Sequence, residues 1–361
     1  MKIKTLYPNW LVSKNATDFL YKYDLKSMCE KHDIELDIQG GFLVTFFSNF
    51  YILLTYLIRK LPLINRVLRS KYYWGIKRYL YLPSTQFKYD VIFTNNLIPF
   101  NKQKQPIILE ADFLEYGSSD EIKARVRSQL YIPTGLLLNV KKIVVRSEES
   151  IKKIREQSEF LAEKCIVIPH YMPYIKRINC SELNKKLTCK DKLKVVFVGN
   201  QAKRKGIEKL IDFYTANKRV LDEKFEFSIV SNFTDGLINI PSEFICHQGV
   251  DREGVLNILK DSDIFIMPTK EEAFGKVFVE AMAAGCVTFV PDLYPLNKYF
   301  GHGAILYSID DDAALKSKML ELHKRLDLRK IKVESSLRLF DEKYSAEVVE
   351  YKYIELFRSL R

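Results

Sequence analysis

Two carboxylates and two cations carry the chemistry that can be read from this sequence. Glu272 and Glu280 stand eight positions apart in EEAFGKVFVE, and Arg204 and Lys205 are adjacent in VVFVGNQAKRKGIEKLI. The stretch 263–285, DIFIMPTKEEAFGKVFVEAMAAG, reads as a buried strand ending at Pro268, then a loop, then a helix from about Lys276. The loop carries Glu271, Glu272, Ala273, Phe274 and Gly275. A helix start leaves N–H groups unpaired and presents a positive dipole end, which suits an anion such as a diphosphate. Gly275 lets backbone approach that anion closely. Glu280 lies about one turn into the helix, and a carboxylate that accepts two hydrogen bonds at once suits the vicinal hydroxyls of a ribose. Glu272, in the loop, falls beside a sugar or a reacting centre. Two glutamates at this spacing also occur on ordinary solvated surface. The order of strand, proline, acidic loop, Phe-Gly and helix is what makes them a candidate site.

The basic pair has the same setting. A buried strand ends at Gly199, a loop carries Lys203, Arg204 and Lys205, and Gly206 opens a helix. This is a strand–loop–helix phosphate site in which Arg204 offers a planar fork and Lys205 a point charge. A solvated basic turn has the same composition. Its place one α/β unit before the acidic loop favours the phosphate reading, because ligands of parallel α/β sheets bind at the carboxyl ends of the strands.

Short β-type runs alternate with helical stretches throughout, the pattern of parallel α/β domains. Strands are expected at 2–7, 35–39, 90–95, 107–111, 142–147 and 165–169, and again at 194–199, 226–231, 244–246, 264–268 and 287–290. Helices are expected at 16–31 and 148–157, then at 207–217, 252–260, 277–284, 313–326 and 346–360. The 361 residues are too many for one ordinary domain. The expected division is a first domain at 1–176, a polar basic linker at 177–192, a second domain at 193–340, and a terminal helix at 341–361 that returns to the first domain.

Residues 195–300 resemble the donor domain of GT-B glycosyltransferases of the large retaining family 4. Glu272 and Glu280 match the family's E-x7-E motif, and Gly199 through Gly206 match its G-x-x-x-x-[RK]-K-G phosphate loop. The run HQGVDREGVLNILKDSDIFIMPT, 247–269, is similar to the family's approach to the E-x7-E loop. The resemblance is weaker over 90–175, in IVVRSEESIKKI and CIVIPHYMP, and vague before residue 90. It implies two Rossmann-like α/β domains facing a cleft, with a C-terminal helix crossing back to the first. It also implies a metal-independent, retaining hexosyltransferase. Lys205 and Arg204 would hold the donor diphosphate and stabilise charge on the leaving group. Glu280 would hold the ribose and Glu272 the transferred sugar. Phe274, Gly275, Lys276 and Val277 would line the sugar-phosphate site, partly through backbone N–H groups, with Gly199 and Asn200 completing the donor set. Many family members carry Arg where this chain has Asn200, so one cation is lost and Arg204 is the expected substitute. Tyr7-Pro8-Asn9-Trp10 stands where the family often has a glycine-rich loop. Acceptor-side candidates are Asn96, Glu110, Asp112 and His170. A satisfied structural histidine is the competing reading of His170.

Other signals are excluded or qualified. Asp261-Ser262-Asp263 has the D-x-D form of a metal motif, but it precedes its strand, at the wrong end for a ligand. Asp310-Asp311-Asp312 reads as a helix N-cap. His32, His170, His247, His302 and His323 have no metal-ligand spacing, so no metal or cofactor is expected. The six cysteines are irregularly spaced and read as free thiols in a reducing compartment. No signal peptide is evident at the N-terminus.

The net charge of +12 calls for an anionic partner. From Ile38 to Tyr89 there is no acidic residue, and Arg59, Lys60, Arg66, Arg69, Lys71, Lys77, Arg78 and Lys88 alternate with aromatics. The adjoining 41–58 is uncharged and just long enough to span a bilayer, but it holds Thr45, Ser48, Asn49 and Thr55. An interfacial helix on an anionic membrane is the preferred reading, against an ordinary amphipathic helix of the first domain. Nucleic-acid motifs are lacking. The expectation is a cytoplasmic, peripherally bound enzyme that transfers a sugar from a nucleotide-diphosphate sugar to a glycolipid or polysaccharide acceptor. The alternatives are a non-catalytic GT-B-like partner subunit and a sugar-nucleotide epimerase.

Overall fold

The computed structural model describes residues 1–6, 16–37, 79–80, 89–95, 98–99, 105–110, 140–156, 158–233, 239–272 and 274–360. The chain divides into two compact units, Met1–Met172 with Val349–Arg361, and Pro173–Val348. The uncharged segment 41–58, most of the basic run 38–89, the segment 7–10, Asn96 and Asp112 lie outside the described residues. Among the described residues no helix is long and apolar enough to cross a membrane.

The first unit has strands β1 (Lys2–Leu6), β2 (Glu35–Asp37), β3 (Tyr79–Leu80), β4 (Val91–Asn95), β5 (Ile98–Pro99), β6 (Ile107–Glu110), β7 (Val140–Val145) and β8 (Cys165–Val167). Six of them form one sheet in the order β2-β1-β4-β6-β7-β8, while β3 and β5 pair separately. Every pairing in the large sheet is parallel. The run IILE of β6 is buried at all four positions, as expected of a parallel strand covered on both faces. The C-terminal helix Ala346–Arg358 packs on this unit through Tyr353 and Phe357, whose rings stand edge-on to Phe93 at 6.2 and 5.7 Å. Glu350 on the same helix accepts from the Tyr171 hydroxyl at 2.9 Å and contacts His32 Nε2 at 2.8 Å.

The second unit holds β9 (Leu193–Val198), β10 (Phe225–Val230), β11 (Ile245–His247), β12 (Ile264–Ile266), β13 (Val287–Pro291) and β14 (Ile305–Tyr307). Their order is β11-β10-β9-β12-β13-β14, all parallel. The sheet grows one way from β9 to β11 and the other way from β12 to β14. The direction therefore reverses between β9 and β12, and a crevice opens at the carboxyl ends of those two strands. The helices Ile207–Lys224 and Lys276–Ala283 begin there.

The expected parallel α/β class and the two-sheet architecture are what the structure has. Several elements differ from expectation, among them strands β3 and β5 and the helix Leu296–Phe300, which were not expected. The stretch 177–192, expected as a linker, carries the helix Cys180–Lys186 inside the second unit. Its Asn179 and Glu182 form a reciprocal capping box, and buried Lys186 donates to the carbonyls of Ala284 at 2.8 Å and Leu259 at 3.1 Å. Strand β14 and the helix Leu326–Leu339 were not expected at all. The strand is only three residues long, and the helix sequence DLRKIKVESSLRL has charges spread around it, so neither gives a clear period.

Candidate active site

Both expected phosphate loops sit at the reversal of the second sheet. The Gly199 N–H donates to the Val230 carbonyl at 2.9 Å, ending β9. The next loop folds on itself through Lys205 N–H to the Gln201 carbonyl at 2.9 Å and Gly206 N–H to the Lys203 carbonyl at 3.0 Å. Gly206 has φ +84°, and a Cβ there would lie 2.0 Å from the Pro268 carbonyl oxygen. Only glycine fits, and its absence of a side chain brings the loop after β9 against the backbone after β12.

This contact joins the two halves of the sequence signal. The Lys205 ammonium makes an ion pair with Oε2 of Glu272, and the side chains are only 15% and 11% exposed. Burial, and then the neighbouring Arg204, lowers the Lys205 pKa to about 7. The Glu272 carboxylate opposes both effects by favouring the charged form. Arg204 is exposed at the rim; its Nε donates to Gln201 Oε1 at 2.6 Å and its Nη1 to the Glu271 carbonyl at 3.3 Å.

The helices Ile207–Lys224 and Lys276–Ala283 start from left-handed glycines, Gly206 and Gly275, and neither start has a side-chain cap. Ser147, Ser158, Asn179, Asp251 and Asp311 each cap a helix with a side-chain oxygen, while the helices Leu296–Phe300 and Leu326–Leu339 also start without one. Two N-termini without side-chain caps stand beside Lys205 and Arg204, an arrangement whose N–H dipoles and cations suit an anion. Gly275 has φ +79°, and a Cβ on it would meet the Phe278 ring at 2.6 Å and Glu272 Cγ at 3.2 Å. Lys276 and Val277 are half-buried at the helix start. Phe274 departs from expectation: its side chain is 3% exposed and packs on Tyr299, Phe300 and Tyr344 at 5.2–5.9 Å. Its ring belongs to the core, leaving only its backbone to face a ligand.

Glu280 is half-buried, and its Oε1 accepts from the Tyr174 hydroxyl at 2.9 Å. The Arg252 guanidinium lies 3.9 Å above the Tyr174 ring. Burial raises the Glu280 pKa, while Tyr174, Arg252 and Lys276 pull it back. Tyr174 and Arg252 were missed in the sequence. Tyr174 follows IPHYMP and Arg252 follows the N-cap Asp251, and nothing local ties either to Glu280.

Asn200, expected as a lost cation, has its own work. Its Oδ1 accepts from Asn232 N–H at 3.3 Å, and Asn232 Oδ1 accepts from Gly249 N–H at 2.8 Å, tying the loops after β9, β10 and β11. Of the acceptor-side candidates, Glu110 and His170 lie in the first unit. Glu110 is fully buried, ion-paired with Arg146 and accepting from Tyr353 Oη at 2.7 Å. Arg146 in turn donates to the Ile168 carbonyl at 2.9 Å. That is the environment of a structural anchor. His170 is half-buried after β8. Asp261 and Asp263 stand at the amino end of β12, paired with Lys194 and Lys190. Asp311 caps the helix Asp312–Lys324, as its sequence suggests.

The order of the second sheet, reversing between β9 and β12, is that of a doubly wound parallel α/β unit. Two such parallel six-stranded units in one chain are the GT-B architecture. Residues 181–334, somewhat under half of the chain, match the family model of glycosyl transferases group 1, and the second unit is a domain of that family. A glycosyltransferase from Rickettsia africae superposes with a TM-score of 0.62 at 14% identity, covering 99% of this chain and 98% of that one. Anabaena HepE, solved in complex with UDP and glucose, gives 0.60 at 14% identity over 99% of this chain and 100% of its own. TarM gives 0.56 at 15% identity, covering 74% of this chain and 54% of TarM. An uncharacterized 41.2 kDa protein from the cps region of Klebsiella pneumoniae is 24% identical over 189 residues, 51% of this chain and 50% of that protein. The matched region thus spans about half the length of that relative and of TarM.

Proposed function

We propose that the protein is a metal-independent retaining glycosyltransferase that moves a hexose from a nucleotide-diphosphate sugar to a glycan or glycolipid acceptor. The observation that carries this reading is the Lys205–Glu272 contact, set between two helix N-termini that no side chain caps. The donor diphosphate would rest on those N-termini. As the bond from the anomeric carbon to the phosphate oxygen breaks, negative charge grows on the leaving diphosphate, and Lys205 and Arg204 stand ready to neutralise it without reorganising. Glu272, on Lys205, would meet the hydroxyls of the transferred sugar, and Glu280 would hold the ribose. Lys276 and Val277 would contribute backbone N–H groups.

A polysaccharide acceptor is supported by the relative from a cps region. Docking at an anionic membrane surface is supported by the acid-free run 38–89. The test is release of nucleoside diphosphate across a panel of donor sugars, starting with UDP-glucose, with which Anabaena HepE has been solved. Donor turnover in the presence of an acceptor glycan is expected, with a loss of at least about a hundredfold in Lys205→Ala. Full activity in Lys205→Ala combined with Glu272→Ala would sink the assignment.

A further inference from the structure

We propose that Tyr174 sets the ribose specificity of the donor site by taking one of the two oxygens of Glu280. This deepens the donor-site reading above and rests on it. A carboxylate offers two oxygens, and a free one can accept from both hydroxyls of a vicinal diol. Here Oε1 already accepts from the Tyr174 hydroxyl at 2.9 Å, and among the described residues no hydrogen bond reaches Oε2.

The tyrosine is held where it is. The Arg252 guanidinium covers its ring at 3.9 Å, and Arg252 begins a helix whose N-cap, Asp251, accepts from Gly254 N–H at 2.8 Å. Glu280 itself sits on the helix Lys276–Ala283, whose neighbouring side chains Phe278, Val279, Ala281 and Met282 are buried. The Tyr174 hydroxyl thus fills one acceptor site of Oε1, so a ribose hydroxyl at Oε2 meets an uncontested acceptor while one at Oε1 competes with the tyrosine. The site weighs one ribose hydroxyl more heavily than the other. Tyr174 acts through Glu280 and is a positioning residue.

The experiment is calorimetry on the full chain with UDP, 2′-deoxy-UDP and 3′-deoxy-UDP, with the corresponding ADP and GDP sets in parallel. For the wild type, one deoxy form should bind at least about tenfold more weakly than its parent, since a hydrogen bond to a charged group is lost. The other should stay within about threefold. Tyr174→Phe frees Oε1, so both deletions should then weaken binding by about tenfold. Equal sensitivity to both deletions in the wild type overturns the proposal, as does insensitivity to both. A Tyr174→Phe protein that keeps the one-hydroxyl pattern overturns it too. Because the first comparison needs no variant, a Tyr174→Phe chain that fails to fold still leaves the question decided. If no nucleoside diphosphate binds at all, the donor-site reading falls and takes this inference with it. Binding with the wrong pattern defeats this inference alone.

Discussion

Burial and the neighbouring Arg204 lower the Lys205 pKa to about 7. In the donor-site reading, diphosphate binding needs the charged form, which is present below the pKa and lost above it. Affinity of the wild type for a nucleoside diphosphate should therefore be highest below about pH 7. It should fall as pH rises, by at most about tenfold per pH unit for one proton. The Glu272 carboxylate paired with Lys205 favours the charged form. Removing that charge while keeping the shape, as Glu272→Gln does, should start the fall at a lower pH. Calorimetry between about pH 6 and 8 decides it. A flat wild-type profile would contradict the titration of Lys205, and equal profiles in the two proteins would show that Glu272 does not set its charge.

At the scale of elements, what was legible in the sequence was what is local. The acidic loop and its helix, and the basic loop and its helix, each occupy one contiguous stretch, so their chemistry could be read from residue types in order. The pairing of Lys205 with Glu272 could only be expected, since it depends on Gly206 meeting the Pro268 backbone. Tyr174 and Arg252 were invisible because they reach Glu280 through the fold alone. The helix Cys180–Lys186 was passed over as a linker although Asn179 and Glu182 have capping-box spacing, because its polar, basic composition outweighed the local signal. Glu110, an acceptor-side candidate from the family resemblance, is buried against Arg146 and Tyr353. The cluster ties β6, the segment after β7 and the C-terminal helix together. Glu110→Ala should cost about 3–5 kcal/mol in stability, because it leaves the Arg146 charge buried without its counter-ion. Urea unfolding measures this. A variant as stable as the wild type but inactive would return Glu110 to the acceptor-side candidates.

At the scale of the whole molecule, the chain enters the second unit once, at Pro173, and leaves it once, at Val348. All six strands of the second sheet lie between those points, as does the stretch 181–334 that matches the glycosyl transferases group 1 model. The two contacts on which the proposed donor site rests, Tyr174 to Glu280 and Lys205 to Glu272, are both internal to that unit. The first unit is different, because it is completed by Val349–Arg361, which follow the second unit in the chain. Those residues bring Tyr353 and Phe357, both fully buried, against Phe93. The two units should therefore respond in opposite ways to a cut at Val348. The fragment 173–348 should fold alone with a cooperative melt and bind a nucleoside diphosphate within about tenfold of the full chain, since the chemistry that binds it is self-contained. The fragment 1–348 should keep that binding while its first unit loses cooperative unfolding, because two large aromatic anchors and the hydroxyl partner of Glu110 are gone. Circular dichroism melts and calorimetry with UDP on both fragments separate these outcomes. A molten 173–348 fragment, or a 1–348 chain whose first unit melts like that of the full protein, would contradict this division of labour.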